Sequence, residues 1–143
     1  MPIPTPEPGL IISYAYLWDH EAESGQKEGR KDRPCVVALA IERQQDSETL
    51  VTVLPVTYRP PEDAAAAVEI PRAVKQQLGL DEDRSWVVVS EGDQFVWPGY
   101  DLRKVRNTDR YDYGYSPPRF FNQVLNAFRA WHRANKARLT SHD

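Results

Sequence analysis

Cysteine and histidine are scarce in this sequence: one cysteine, Cys35, and three scattered histidines, His20, His132 and His142. A single cysteine excludes an internal disulfide, and no Cys or His pair has the spacing of a zinc site. Within the apolar run "CVVALAI", Cys35 reads as a small core residue, because a nucleophilic thiol needs partial exposure and an activating neighbour. No apolar run approaches the ~18 residues needed to span a bilayer. The opening "MPIPTPEPG" has neither the basic nor the apolar region of a signal peptide. A cytoplasmic protein without membrane contact is the expectation. The P-loop, GxGxxG, GxSxG and HExxH patterns are also missing. The acidic "DED" at Asp81 to Asp83 follows a helix cap and reads as a solvated turn rather than a cation site. Neither metal nor organic cofactor is expected.

At 143 residues, with 41% hydrophobic and 27% charged residues, the chain has the size and composition of one globular domain. Twelve prolines against seven glycines indicate many stiff turns. The net charge of −3 argues against a surface coated for nucleic acid, so a polyanion would be met by local patches. Beyond Gly114 the balance reverses: Arg119, Arg129, Arg133, Lys136 and Arg138 face only Asp143.

Along the chain, residues 1–8 form a Pro-alternating extended arm, and "LIISYAYLW" (10–18) reads as a strand. Residues 19–32, "DHEAESGQKEGRKD", contain almost no apolar side chains and read as a long exposed loop of the kind often used for function. "CVVALAIE" and "TLVTVLPVTY" form a hairpin across "RQQDSE". A short strand "AVEI" precedes a short helix in "PRAVKQQLGL", with Pro71 at its first turn and Gly79 as its C-terminal cap. "RSWVVVS" and the two apolar pieces of "EGDQFVWPGYDLRKV" add further strands. From 116 to 138 the spacing of Phe120, Phe121, Val124, Leu125, Phe128 and Trp131 predicts a C-terminal helix, with Ser116 as N-cap and Pro117 at its first position. Its basic residues fall on a solvated face or on one turned to nucleic acid. Strands at this spacing with two helices describe an α+β domain on a small curled sheet of about 5–7 short strands.

What chemistry remains suits a phosphodiester without metal. Cleaving RNA this way requires the 2′-hydroxyl to lose a proton, the crowded phosphorane to be stabilised and the 5′-oxygen to be protonated. Arginine meets the second need with a planar fork that stays charged in any environment. A hydroxyl such as Thr57 can donate to the same phosphate, and a carboxylate such as Glu28 can take the proton. Each residue also has an ordinary use: Arg33 in a loop ion pair, Thr57 as a β-branched strand residue, Asp93 as a turn cap. Trp18, Trp86 and Trp97 read as core aromatics rather than base-stacking platforms.

The order "PGLIISYAYLW", polar loop, "RPCVVALAI", "VTVLPVTY" and "SWVVVSEGDQF" resembles the MazF and PemK family of toxins from type II toxin-antitoxin modules, over roughly residues 8–105. The resemblance implies a single domain over 1–143 with an SH3-like β-barrel, a homodimer, and a sequence-selective, metal-independent endoribonuclease that cleaves single-stranded RNA to inhibit growth. It also implies a cognate antitoxin as partner, with DNA reached only indirectly through that antitoxin. Position by position, Arg33 matches the arginine before proline that stabilises the scissile phosphate, and Thr57 the threonine of Pro-x-Thr. Glu28 matches the loop glutamate as proton acceptor, and Asp93 the aspartate to which PemK-like members assign a general-base role. Lys27, Arg30 and Lys31 would steer the RNA backbone.

Two features depart from the family pattern. Glu91 stands where some members carry a proton-donating arginine, and the 19–32 loop holds Asp19, Glu21, Glu23 and Glu28. Glu91 favours the Glu28, Arg33 and Thr57 set over an acid-base pair centred on Asp93, and the acidic loop should repel RNA as readily as Arg30 and Lys31 attract it. Both departures also leave two alternatives: a catalytically inactive barrel that binds RNA or a peptide, and an interaction domain unrelated to nucleic acid.

Overall fold

A computed structural model describes residues 3–18, 31–135 and 138–141 of the chain. Among them, nine strands form one mostly antiparallel sheet that does not close on itself, accompanied by two α-helices, an α+β architecture. The strands are β1 (Leu10–Tyr16), β2 (Lys31–Glu42), β3 (Thr49–Thr57), β4 (Ala67–Glu69), β5 (Trp86–Val88), β6 (Glu91–Val96), β7 (Leu102–Arg103), β8 (Asp112–Tyr115) and β9 (Arg138–Ser141). The helices are α1 (Arg72–Leu78) and α2 (Pro118–Asn135), and a 3₁₀ turn occupies Ala64–Ala66. The main path runs β4-β5-β3-β2-β1-β7, with β6 on β3, β8 on β1 and β9 parallel to β6.

Apolar runs unbroken by polar alternation require burial on both sheet faces. In β1 every residue is buried. Ile11 joins Val36, Leu54, Val56 and Val87 on one face, whereas Leu10, Ile12, Tyr14 and Tyr16 join Cys35, Val37, Val53 and Phe95 on the other. The first cluster is covered by α1 and α2. Phe120, Val124 and Phe128 recur at a four-residue interval on α2 and pack with Val74 and Leu78 of α1. Truncating a buried phenylalanine such as Phe128 to alanine costs about 3–5 kcal/mol. The second cluster lies on the opposite face. One edge of β3 pairs with β6 through Leu50–Val53 and with β5 through Val56 and Thr57, so one long strand serves two parts of the sheet.

Gly79 caps α1 in the left-handed conformation (φ 69°), as its sequence position predicts. Pro71 sits one residue before the first helical turn. Cys35 is fully buried, and burial pushes its thiol well up. Several boundaries differ from expectation. β2 starts at Lys31, not Cys35, because Tyr16, Ala15 and Tyr14 pair with Lys31, Asp32 and Arg33. The C-terminal helix spans 118–135 rather than 116–138, and residues 138–141 add the parallel strand β9. Ser116 is not a side-chain cap: its Oγ donates to Gly9 O at 2.9 Å, joining the N-terminal arm to the start of α2. With β8 and β9 the strands exceed the 5–7 expected.

Candidate functional site

The extended backbone that Pro34 imposes on Arg33 is used in the β1–β2 ladder, where Arg33 stands opposite Tyr14. Neighbouring residues on a strand point to opposite faces. Asp32 approaches Arg103 at 3.9 Å, so it is not the partner of Arg33. Arg33 Nη1 donates to Val56 O at 3.1 Å, and its guanidinium lies 5.0 Å from the Trp18 ring centroid. A backbone acceptor on one side and an aromatic face on the other fix the plane of the fork. Arg33 Nε is buried and has no acceptor among the described residues.

Thr57 ends β3, one residue beyond that carbonyl. Its Oγ1 accepts from Arg59 N at 3.2 Å, which leaves its own proton to donate elsewhere. Arg33 and Thr57 both line an open groove of about 760 Å³, together with Trp18, Lys31, Arg59 and Glu91. Tyr58, Pro60, Pro61, Glu62 and Asp63 line it as well. Asp63 caps the 3₁₀ turn by accepting from Ala65 N at 2.9 Å. Cations and carboxylates therefore share one cleft. Trp18 serves two roles, packing on the inner cluster and presenting its ring to Arg33. Trp86 is buried, and half-buried Trp97 donates to Pro4 O at 3.1 Å.

Of the sequence candidates, the groove brings together Arg33, Thr57 and Lys31. Asp93 does not join them: it is 0% exposed on β6, opposite Val53. It sits among Tyr14 and Tyr16, whose phenols are pushed far above their usual range by burial first and by the nearby carboxylates second. Glu28, Lys27 and Arg30 lie outside the described residues.

Glu91 is the groove residue that sequence reasoning treated only as a departure. Its Oε2 accepts from Tyr16 Oη at 2.8 Å. The signal was present in "EGDQF": Glu91, Asp93 and Phe95 share one face of β6, so a carboxylate extends the inward face to the first residue of the strand.

Behind the groove, Tyr58 donates to Asp81, which also takes a bond from Lys75 at 3.1 Å. Burial and then the Asp81 hydrogen bond push the Tyr58 phenol up to about 12. Burial alone would raise the Asp81 carboxyl, but Tyr58 and Lys75 outweigh it and hold it below the usual carboxylate value. No cluster of metal-ligating side chains occurs among the described residues, and no described helix is long and apolar enough to cross a membrane. Comparison with protein-family models and with curated proteins returns no match to this chain.

Proposed function

We propose that the chain is a metal-independent endoribonuclease of the MazF and PemK kind, the toxin of a type II toxin-antitoxin pair. The carrying observation is that Arg33 from β2 and Thr57 from β3 line one groove, with the Arg33 fork bonded to the carbonyl just before Thr57. In this reading the open curled sheet corresponds to the family's small SH3-like barrel, and the protein acts as a homodimer restrained by a cognate antitoxin. Single-stranded RNA enters the groove with its backbone toward Lys31 and Arg59. Arg33 takes the non-bridging oxygens of the scissile phosphate and stabilises the charge that develops in the phosphorane. Thr57 donates a hydrogen bond that fixes the phosphate's rotation.

The test is incubation of purified protein with single-stranded RNA in chelator. Fragments ending in 2′,3′-cyclic phosphate and 5′-hydroxyl are expected from wild type. Absence of cleavage sinks the enzyme assignment.

A second reading is favoured by Glu62, Asp63 and Glu91 in the same groove. Carboxylates repel a polyanion, and with Trp18, Pro60 and Pro61 they suit a catalytically inactive module of the same fold that binds a basic peptide. Growth arrest on induction without an antitoxin separates the two, since only the nuclease arrests cells.

A further inference from the structure

We infer that Glu91 accepts the 2′-hydroxyl proton in this groove, and that Tyr16 positions it. The inference rests on the nuclease reading and assigns the proton transfer to a carboxylate that the family resemblance leaves without a catalytic role.

The chemistry needs a carboxylate on the same cleft as the phosphate-binding fork, accessible to RNA and held in one orientation. Glu91 meets these requirements: it lines the groove with Arg33 and Thr57, is half-buried rather than enclosed, and is anchored through Oε2 by Tyr16 Oη at 2.8 Å. The other groove carboxylates are less suited. Asp63 is engaged as the cap of the 3₁₀ turn, and Glu62 is exposed on a loop with no hydrogen bond among the described residues to hold it in one orientation. Asp93, although on the same face of β6, is sealed in the interior.

Tyr16 is a durable support. Its ring belongs to the fully buried inner cluster, and burial together with Glu91 and Asp93 keeps its phenol protonated far above the ordinary range. It therefore remains a donor to the Glu91 carboxylate throughout the working pH range.

The step balances as follows. Glu91 carboxylate removes the 2′-hydroxyl proton, and the 2′-oxygen forms a bond to phosphorus. The bond from phosphorus to the 5′-oxygen breaks, and that oxygen leaves with a proton from water. The products are a 2′,3′-cyclic phosphate and a 5′-hydroxyl, after which Glu91 returns its proton to solvent. Among the described residues, Tyr16 from β1 bonds Glu91; Lys31 and Arg33 from β2, Arg59 and Glu62 line the same groove; Asp93 follows it on β6; and Arg138 of β9 stands opposite it in the β6–β9 ladder.

The experiment measures single-turnover RNA cleavage in chelator against pH for wild type, Glu91→Gln, Glu28→Gln and Tyr16→Phe, with RNA affinity and thermal melting measured on each. Glu91→Gln is expected to lose about 10²–10⁴-fold in rate, to bind RNA at least as tightly, and to lose the acid limb of the profile. Tyr16→Phe is expected to shift that limb to higher pH, because the donor that favours the ionised carboxylate is gone. This shift decides the question if Glu91→Gln does not fold. A Glu91→Gln protein that melts normally and cleaves at the wild-type rate overturns the inference and leaves the nuclease reading standing, as does loss of the acid limb in Glu28→Gln alone. A wild type that cleaves no RNA overturns both.

Discussion

Arg33 Nη1 lies 3.1 Å from the carbonyl oxygen of Val56, which binds a β2 guanidinium to the β3 residue immediately before Thr57. The Trp18 ring lies 5.0 Å from the same guanidinium. Arg33→Lys is therefore not a mild change. A lysine keeps the charge but loses the fork and the planar stacking, so the variant is expected to cleave RNA about 10²–10³-fold more slowly, close to an arginine deletion. Cleavage rates of Arg33→Lys and Arg33→Ala side by side check this.

Thr57 is expected to act through its hydroxyl. Thr57→Val removes the donor and the acceptor for Arg59 N while keeping the β-branched shape, and loses about 1.5–3 kcal/mol of transition-state stabilisation. Thr57→Ser retains the hydroxyl and stays near wild type. The kcat/KM ratio of the two variants is the readout.

RNA affinity should fall as salt rises. Lys31, Arg33 and Arg59, the described cations of the groove, contribute about −2 to the log–log slope on a single strand, and Lys27 and Arg30 are expected to steepen it. Lys31→Ala should make the slope shallower by about 0.7 without changing sequence preference. Fluorescence anisotropy of a labelled, non-cleavable RNA at several salt concentrations measures it.

Asp93 belongs to the interior. Asp93→Ala strips a fully buried carboxylate from beside Tyr14 and Tyr16 and is expected to destabilise the fold by about 1–3 kcal/mol. Urea unfolding midpoints report the loss. Cleavage per folded molecule should change far less than in Arg33 variants.

Asp81 is expected to add to the acid sensitivity of the fold. Its carboxyl lies below the usual value when folded, so its contribution is present above the unfolded carboxylate pKa of about 3.9 and is lost as pH falls through the folded value. Asp81→Asn should lower the melting temperature at neutral pH and flatten its decline in acid. Melting curves across the acid range test both.

Much of this arrangement was legible in local pattern. The apolar runs of β1, β2 and β3 announced strands, though not that they would be buried on both faces, and the four-residue spacing of Phe120, Val124 and Phe128 announced the covering helix. The start of β2 was not legible, because Lys31, Asp32 and Arg33 read as loop charge until Tyr16 to Tyr14 supply their ladder partners. β9 was hidden for a similar reason: "RLTS" has no alternation of its own and becomes a strand only by pairing with β6. Arg33 and Thr57 gained matched roles through the family resemblance, and only the pairing of β2 with β3 brings them to one cleft. Glu91 was visible as a letter but not as a groove residue, since its role depends on Tyr16, 75 positions away.

The most direct test of the account is the cleavage of single-stranded RNA by the purified wild-type protein in chelator, compared with Arg33→Ala. The account predicts fragments with 2′,3′-cyclic phosphate and 5′-hydroxyl ends from wild type and their loss in the variant. RNA left intact by wild type, or cut equally well by both proteins, would contradict it.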